Sequence, residues 1–246
     1  VWILSLARRD ASIVDIFWGL GFVLVAWVSL AMGDGFAGRQ TLIAAMTTVW
    51  GVRLATYLFF RNRGKGEDFR YQRMRTHYGS RFGLISLLVV FGLQGVLMMV
   101  VSLPVQVAQV GGPDHLTILD WLGLTVWLAG VLFESVGDGQ LGRFKADPAN
   151  TGKVMDRGLW AWTRHPNYFG DALAWWGIFL VAASNTSHLW AIVGPLLMTY
   201  LLLRVSGVAL LERSLVKRRQ GYEDYVARTS AFIPWFPGKG RTGQQR

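Results

Sequence analysis

The chain has 246 residues, of which 52% are hydrophobic and only 16% charged, with 12 Trp and 14 Phe. A soluble protein of this size needs more charged side chains to cover its surface, so this composition excludes an ordinary soluble domain. The net charge of +10 does not indicate nucleic acid binding, because the basic residues lie between long apolar runs. The absence of cysteine excludes disulfides, iron–sulfur ligation and thiol catalysis.

Long apolar segments dominate the chain from its beginning. A transmembrane helix needs about 20 apolar residues to cross about 30 Å of hydrocarbon. The opening run, Val1–Ala7, is shorter, and we interpret it as the end of a truncated first helix. The six segments that follow are Ser12–Met32, Thr41–Phe60, Phe82–Leu103, Ile118–Val136, Tyr168–Ala183 and Leu189–Leu211. The sequence therefore predicts an all-α, polytopic bundle of seven transmembrane helices.

The basic residues predict the orientation of this bundle. Of the 25 Lys and Arg residues, 22 lie in four stretches, Arg8–Arg9, Arg61–Arg81, Arg143–Arg164 and Arg213–Arg246. These stretches are alternate connections between the predicted helices, and the positive-inside rule assigns them to the cytoplasm. We therefore expect a multi-pass integral membrane protein whose C-terminus is cytoplasmic.

We expect residues 1–246 to form a single membrane-embedded domain. Three predicted cytosolic stretches, 61–81, 137–165 and 212–246, are longer and more polar than simple connections require. Binding residues are concentrated on such segments when a rigid scaffold holds them. The sequence thus predicts two cytosolic loops and a tail that together cover a cofactor site.

The stretch Arg-His-Pro-Asn-Tyr-Phe-Gly-Asp is the most informative motif. Pro166 suits the first turn of a helix and places Arg164 and His165 at its N-terminus, a favourable position for phosphate. Asn167 offers a donor and an acceptor to a planar carboxamide such as that of nicotinamide. Asp171 lies one turn further in, where a carboxylate is costly unless it binds something. The simpler interpretation is a cation pair and a proline that mark the start of a membrane helix.

The segment before this motif carries carboxylates followed by cations. Its glycines spell GxGxxG, but a membrane helix precedes them and no βαβ unit surrounds them, so a Rossmann site is excluded. On a helix, Glu134, Asp138 and Gln140 lie near the same end and could bind ribose and adenine edges. The cations available to phosphates are Arg143, Lys145 and Lys153. The alternative is an ordinary helix end with its charges in water.

Asp15 is the strongest single candidate for a catalytic residue. It lies near the start of the first full helix, where it could stay protonated among apolar neighbours and donate to a carbonyl oxygen. The alternative is that it reaches the membrane interface beside Arg8 and Arg9. In the next helix, Trp50 and Arg53 lie one turn apart. Arg53 needs a partner inside an apolar segment, and Asp15 is the candidate.

Two further segments offer polar groups on the predicted cytosolic side. Asn62, Arg63 and Lys65 form a loop that suits phosphate but is also typical of any cytoplasmic loop. The tail carries Tyr222 and Tyr225 in a basic amphipathic stretch. This stretch either lies on anionic lipid or folds back over the cofactor site.

Together these features resemble the steroid 5-alpha-reductase family. The resemblance rests on the 62–65 loop, the segment 138–153, the Arg-His-Pro-Asn-Tyr-Phe-Gly-Asp stretch and the tail through Ile233-Pro234, and it covers nearly the whole chain. It is closest to bacterial members of an uncharacterised-domain type. It implies a seven-helix bundle in a bacterial cytoplasmic membrane, NADPH on the cytosolic side, and hydride transfer to the double bond of a 3-oxo-Δ4-steroid.

The resemblance also implies roles for individual positions. Glu212 falls where the family has a polar residue near the cofactor, commonly His, and Asp15 where a Glu helps to polarise the steroid ketone. Val14 replaces the Gln that usually precedes that Glu, and Trp50 stands where a catalytic Tyr is expected. Proton donation would therefore rest on Asp15. The implied cofactor ligands are Asn62, Lys65, Asp138, Arg143, Lys153, Asn167 and Asp171.

The sequence thus offers candidate catalytic residues, cofactor residues and partners. The catalytic candidates are Asp15, Trp50 and Arg53. The NADPH-binding candidates are Asn62, Arg63, Lys65, Glu134, Asp138, Gln140, Arg143, Lys145, Lys153, Arg164, His165, Asn167, Tyr168, Asp171, Glu212, Tyr222 and Tyr225. An apolar enone and membrane lipid are the expected partners. Neither a metal nor nucleic acid is expected, since the histidines lack metal-ligand spacing.

Two rival functions fit parts of the sequence. Membrane methyltransferases of the isoprenylcysteine type share the Arg-His-Pro-x-Tyr motif and would bind S-adenosylmethionine. That molecule has no phosphate and would not need the three cations that follow the carboxylates. A small transporter or lipid-binding protein is the second rival, but transporters tend to show inverted repeats, and the sequence contains none.

Overall fold

The computed structural model describes residues 1–205 and 221–238, and their regular elements are helical. The α-helices are α1 (Trp2–Arg8), α2 (Ile13–Met32), α3 (Ala37–Asn62), α4 (Phe69–Tyr78), α5 (Phe82–Ser86), α6 (Leu93–Val101), α7 (Leu103–Val107), α8 (Ile118–Ala146), α9 (Leu159–Trp162), α10 (Pro166–Ala182), α11 (Val193–Tyr200) and α12 (Tyr222–Arg228). Short 3-10 turns occur at Gly79–Arg81, Pro148–Asn150 and Thr186–Ile192, and π-helical turns at Leu87–Gly92 and Leu201–Val205.

Five helical stretches among the described residues are long and apolar enough to cross a membrane. They are Ile13–Met32, Ala37–Asn62, Phe69–Val101, Ile118–Ala146 and Thr186–Val205. The predicted all-α, polytopic membrane protein is confirmed to this extent, and the count of seven spans stays a prediction. The chain divides into two compact units, the first made of Val1–Trp121 with Ile178–Gly194 and the second of Leu122–Gly177 with Pro195–Arg246.

The first unit is built on the pairing of α2 and α3. Gly19 and Gly51 lie face to face, and a Cβ on either would collide with the other's backbone. Small residues permit this close approach of membrane helices, which is stabilised by van der Waals contact. Beside the crossing, Phe22 and Trp50 are fully buried and pack edge to face.

A buried ion pair closes one end of the first unit. Arg39 Nε donates to Asp120 Oδ1 at 2.8 Å and Arg39 Nη2 to Oδ2 at 3.1 Å, and both side chains are almost fully buried. Arg39 also donates to the carbonyls of Pro113 and His115, while Asp120 accepts from Thr117. The pair therefore fixes the start of α8 and the loop before it to α3.

The second unit is built on an equally close crossing of α8 and α10. A Cβ on Gly130 would collide with the backbone of Gly170 and Ala174, and one on Gly170 with the backbone of Glu134. Further along, Gly177 meets the backbone of Trp127. This spacing of small residues aligns the polar end of α8 with the start of α10.

Two of the predicted cytosolic stretches contain helical residues. The stretch 61–81 contains α4, because Asp68 caps its first turn by accepting from the Arg70 N–H and the segment is rich in helix-forming Gln, Arg and Met. The stretch 137–165 begins inside α8, which continues to Ala146 because Gln, Leu, Arg and Lys favour a helix in water as well as in lipid.

Candidate functional site

The second unit contains most of the predicted cofactor residues, and several of them lie where α8 meets α10. Asn167 Nδ2 donates to Asp138 Oδ1 at 3.0 Å and links the two helices. Gly137 lies against Pro166 and Asn167, so no side chain separates the helices at this level. The predicted i,i+4 relation of Glu134 and Asp138 on one helix is confirmed, since both belong to α8.

This junction concentrates buried ionisable groups. Glu134, Asp138 and Asp171 are exposed by only 3%, 4% and 7% of their surface. Arg164 and His165 are also buried, and the His165 ring stacks in parallel on Tyr168 with their centroids 5.6 Å apart. Charged side chains at the edge of a membrane bundle are costly and mark functional sites. We refer to the set Glu134, Asp138, Arg164, His165, Asn167 and Asp171 as the polar junction.

Several predicted cofactor residues hold the protein segments around the polar junction. Arg164 Nη1 donates to the carbonyls of Val226 and Thr229. Gln140 Oε1 accepts from the Leu159 N–H at 3.0 Å. Tyr225 donates to the Trp160 carbonyl, and its burial raises the pKa of the phenol, with neighbouring Tyr222 adding to the effect. These contacts give Arg164, Gln140 and Tyr225 a structural role, and their predicted contact with NADPH stays a prediction.

The segment 221–238, which we call the C-terminal strap, lies along residues 156–164. Arg228 pairs with Asp156, the Arg164 N–H donates to the Ser230 carbonyl at 2.9 Å, and Thr163 pairs with Ser230 in a single β-bridge. The strap therefore packs on the connection before α10, and its predicted position over a cofactor site stays a prediction. Tyr222 is buried and packs edge to face on Tyr225.

The predicted phosphate-binding cations are at the surface. Arg143 and Lys145 lie in the last turn of α8, and Lys153 follows in the loop; all three are exposed. Glu212 lies outside the described residues. Among the described residues, no group of three or more His, Asp or Glu side chains could hold a metal ion.

In the first unit, Asp15 is held by two residues that we did not single out in the sequence. Its carboxylate accepts from Arg70 Nη2 at 3.1 Å and from the Tyr71 hydroxyl at 3.1 Å. Gln94 Nε2 in turn donates to the Tyr71 oxygen at 3.3 Å. Asp15 is thus an acceptor for two donors. Arg70 takes the place that we predicted for Arg53, whose guanidinium lies over the Tyr57 ring.

Hydrogen bonds connect the segment at the start of α4 to the segment at the start of α2, near Asp15. Glu67 accepts from the Ala11 N–H at 2.8 Å and from Arg75, and the Asp68 N–H donates to the Ser12 hydroxyl at 2.7 Å. Partial burial opposes the charged form of Glu67, but the hydrogen bonds from Arg75 and Ala11 outweigh it and lower the pKa of the carboxyl. These contacts fix the position of Tyr71 relative to Asp15.

The remaining predicted residues of the first unit lie on α3 and in the turn that follows it. Trp50 is buried against Phe22, which agrees with a packing role. Asn62 ends α3, and its side chain accepts from Arg61. Arg63 and Lys65 are exposed in the turn that follows.

An apolar cavity of about 480 Å³ lies next to the Asp15 group in the first unit. Its wall includes Val14, Trp18, Phe91 and Met98, and Gln94 is the amide side chain that lines it. Tyr71 is buried in the core cluster that contains Val14. A hydrogen-bond chain therefore leads from the cavity through Gln94 and Tyr71 to Asp15.

The sequence contained one signal that would have pointed to Tyr71. The run Glu67-Asp68-Phe69-Arg70-Tyr71 combines two carboxylates, a guanidinium and a phenol just before a long apolar segment. Asp68 in this run has the character of a helix N-cap. Had we predicted α4 from that cap, Arg70 and Tyr71 would have been placed on the helix that approaches Asp15.

Comparisons with known proteins establish the family. The family model described as "Protein of unknown function (DUF1295)" matches residues 1–229. An uncharacterised protein of Schizosaccharomyces pombe is 26% identical over 217 residues, which cover 77% of this chain and 62% of that protein's own length. No solved structure matches the chain. The match over nearly the whole length shows that the chain belongs to the DUF1295 family.

Proposed function

We propose that this protein is an NADPH-dependent reductase that transfers a hydride to the C=C bond of an apolar enone such as a 3-oxo-Δ4-steroid. The observation that carries the proposal is the polar junction, where three carboxylates on α8 and α10 are buried, together with an Arg and a His just before α10. Ionisable groups in this setting are conserved in membrane proteins for binding rather than for stability. The resemblance to steroid 5-alpha-reductases supplies the reaction.

The groups of the polar junction fit a dinucleotide. The carboxylates of Glu134 and Asp138 can accept from ribose hydroxyls, and the Asn167 amide offers a donor and an acceptor to a carboxamide. Arg143 and Lys145 lie on the same helix beyond the carboxylates, with roughly 16 Å of helix axis between Glu134 and Lys145. Carboxylates and cations separated along α8 suit a ligand with hydroxyls at one end and phosphates at the other. NADPH supplies the hydride when it is bound.

The first unit carries groups that could orient the enone. The Asp15 carboxyl accepts hydrogen bonds from Arg70 and from the Tyr71 hydroxyl, and it thereby holds the Tyr71 hydroxyl in position. Gln94 has a second N–H and lines the cavity, and it is our candidate donor to the enone carbonyl. Tyr71 provides the phenol that is missing at Trp50. It polarises Gln94 through their hydrogen bond.

The reaction balances without a further oxidant or reductant. The hydride is added to the β-carbon of the enone, electron density moves onto the carbonyl oxygen, and a proton from solvent reaches the α-carbon. The products are the saturated ketone and the oxidised nucleotide. Gln94, which Tyr71 holds through their hydrogen bond, stabilises the developing negative charge without reorganisation. The apolar cavity excludes water from the rest of the substrate.

Isotope transfer tests this function. The purified protein, reconstituted in lipid, is incubated with NADPH that carries deuterium at the transferred position and with a panel of apolar enones. We expect deuterium on the β-carbon of a saturated product. Release of S-adenosylhomocysteine from S-adenosylmethionine by the same preparation, without NADPH oxidation by any enone, would assign the protein to the methyltransferases instead.

A further inference from the structure

The second unit presents a group of exposed aromatic and aliphatic side chains that no step of the proposed reaction uses. Trp162 in α9 and Ile233, Trp235 and Phe236 in the C-terminal strap are exposed by 46%, 65%, 70% and 74%. The rings of Trp162 and Phe236 lie 5.5 Å apart, and Trp235 packs edge to face on Phe236. We call these four residues the aromatic rim.

Backbone contacts fix the aromatic rim in place. The Trp235 N–H donates to the Trp162 carbonyl at 3.0 Å, and the Thr163 hydroxyl donates to the Phe232 carbonyl at 2.8 Å. The Gly238 N–H donates to the Arg228 carbonyl at 2.8 Å. The apolar side chains are thus held outward by an ordered segment. An exposed, preformed apolar surface indicates an interaction site.

The level of the aromatic rim relative to α8 indicates which part of the membrane it contacts. Crossing about 30 Å of hydrocarbon takes about 20 residues, so a helix that enters at Ile118 leaves the hydrocarbon near Gly137. Gly137 lies against Pro166, the first residue of α10, and accepts a hydrogen bond from the Trp160 indole. Trp162 is two residues from Trp160 and four from Pro166. The rim therefore lies at the level where the hydrocarbon ends.

The chemistry of the surroundings agrees with a lipid interface. Trp side chains favour this level of a bilayer, because the apolar ring and the polar N–H meet different environments there. Arg157 is exposed one turn before Trp160, and Lys153 is exposed in the same connection. These cations suit anionic headgroups beside the apolar side chains.

We propose that Trp162, Ile233, Trp235 and Phe236 form an interfacial anchor that inserts into the boundary between lipid headgroups and acyl chains. The anchor seats the C-terminal strap, and through it the Arg164 side chain, on the membrane surface. This inference concerns lipid contact and does not depend on the proposed reaction.

The absence of cysteine from the chain makes a direct test possible. Phe236→Cys and, separately, Ile233→Cys are labelled with the fluorophore NBD in proteoliposomes of phosphatidylcholine and phosphatidylglycerol. Ala149→Cys, exposed in the loop after α8, is the matched control. Lipids with a doxyl quencher near the headgroup, or deep in the chain, report the depth of each label.

An interfacial anchor predicts that NBD at positions 236 and 233 emits at shorter wavelength than at 149 and loses most fluorescence to the shallow quencher. The control label emits as in water and is quenched weakly. If both rim labels behave like the control, the anchor is excluded. It is equally excluded if their emission is shifted only at high protein-to-lipid ratio without quenching by lipid, which would assign the rim to contact between two copies of the chain.

Discussion

Asn167 and Asp138 join the two helices of the second unit through a hydrogen bond of 3.0 Å at the level where α10 begins. Neither side chain is needed to close the helix crossing, because Gly137 and Pro166 already pack there. This hydrogen bond uses one N–H of the Asn167 amide and one oxygen of the Asp138 carboxylate. The other donor and acceptor groups of the two side chains are those that could bind a ligand. This relationship is the basis of the first prediction.

Asn167→Ala is expected to weaken NADPH binding about tenfold, because the proposed donor and acceptor contacts of Asn167 to the carboxamide would contribute about 0.5–1.5 kcal/mol each. The measurement is a titration of NADPH against the detergent-purified variant, followed by intrinsic fluorescence. Glu223→Gln, an exposed carboxyl in α12, is the control and should bind as the parent protein does. Equal affinity of Asn167→Ala and the control would remove Asn167 from the binding site.

Tyr71→Phe is expected to lower the turnover of the enone by roughly tenfold, because Gln94, the proposed donor, would lose a positioning hydrogen bond worth up to about 1.5 kcal/mol. NADPH affinity should not change, since Tyr71 belongs to the Asp15 group of the first unit. Tyr78→Phe, which removes a hydroxyl from the same helix, is the control. Turnover that is unchanged in Tyr71→Phe would exclude Tyr71 from catalysis.

Gly170→Ala tests the crossing of α8 and α10. The added methyl group would meet the backbone of Glu134 and Gly130, and overpacking of this kind costs about 1–3 kcal/mol. Gly142→Ala is the matched control. Its Cβ would enter open space in α8, where Ala is favoured over Gly by up to about 1 kcal/mol. The unfolding temperature should therefore fall in Gly170→Ala and rise in Gly142→Ala. A rise in Gly170→Ala would contradict the close crossing of the two helices.

Asp120→Asn should destabilise the first unit by about 3–5 kcal/mol, because Arg39 would remain buried without its countercharge. Asp114→Asn removes a carboxylate from the loop before α8, at a fully exposed position, and serves as the control. Thermal unfolding of the two variants in the same detergent makes the comparison. Equal unfolding temperatures would show that the Arg39–Asp120 pair does not stabilise the fold.

Glu67 predicts how stability depends on pH. Its pKa in the folded protein is below its ordinary value of 4.5, so the folded state gains stability from Glu67 above that pH. This contribution is lost as the pH falls below 4.5 and through the lowered pKa of the folded state. We expect the Glu67→Gln variant to lose less stability than the parent protein over that acidic range. An equal loss of unfolding free energy in the two proteins as the pH falls would contradict the prediction.

The sequence was sufficient to predict membrane helices, because apolar runs of about 20 residues have few other uses. It also predicted the helix start at Pro166, which is the first residue of α10. It did not predict the partners of Asp15, since Arg70 lies 55 residues away in a stretch interpreted as loop. Nor could it show that Gly130 and Gly170 touch, because helix contacts depend on packing between distant segments rather than on local pattern.

The most direct test of the central claim is nucleotide binding by the intact protein. Its thermal unfolding in detergent is compared with and without NADPH, NADH and S-adenosylmethionine, and a ligand that binds only the folded state raises the unfolding temperature. We predict stabilisation by NADPH that is weakened in Asn167→Ala and retained in Glu223→Gln. Stabilisation by S-adenosylmethionine, with no effect of NADPH, would contradict the account and make the polar junction a methyl-transfer site.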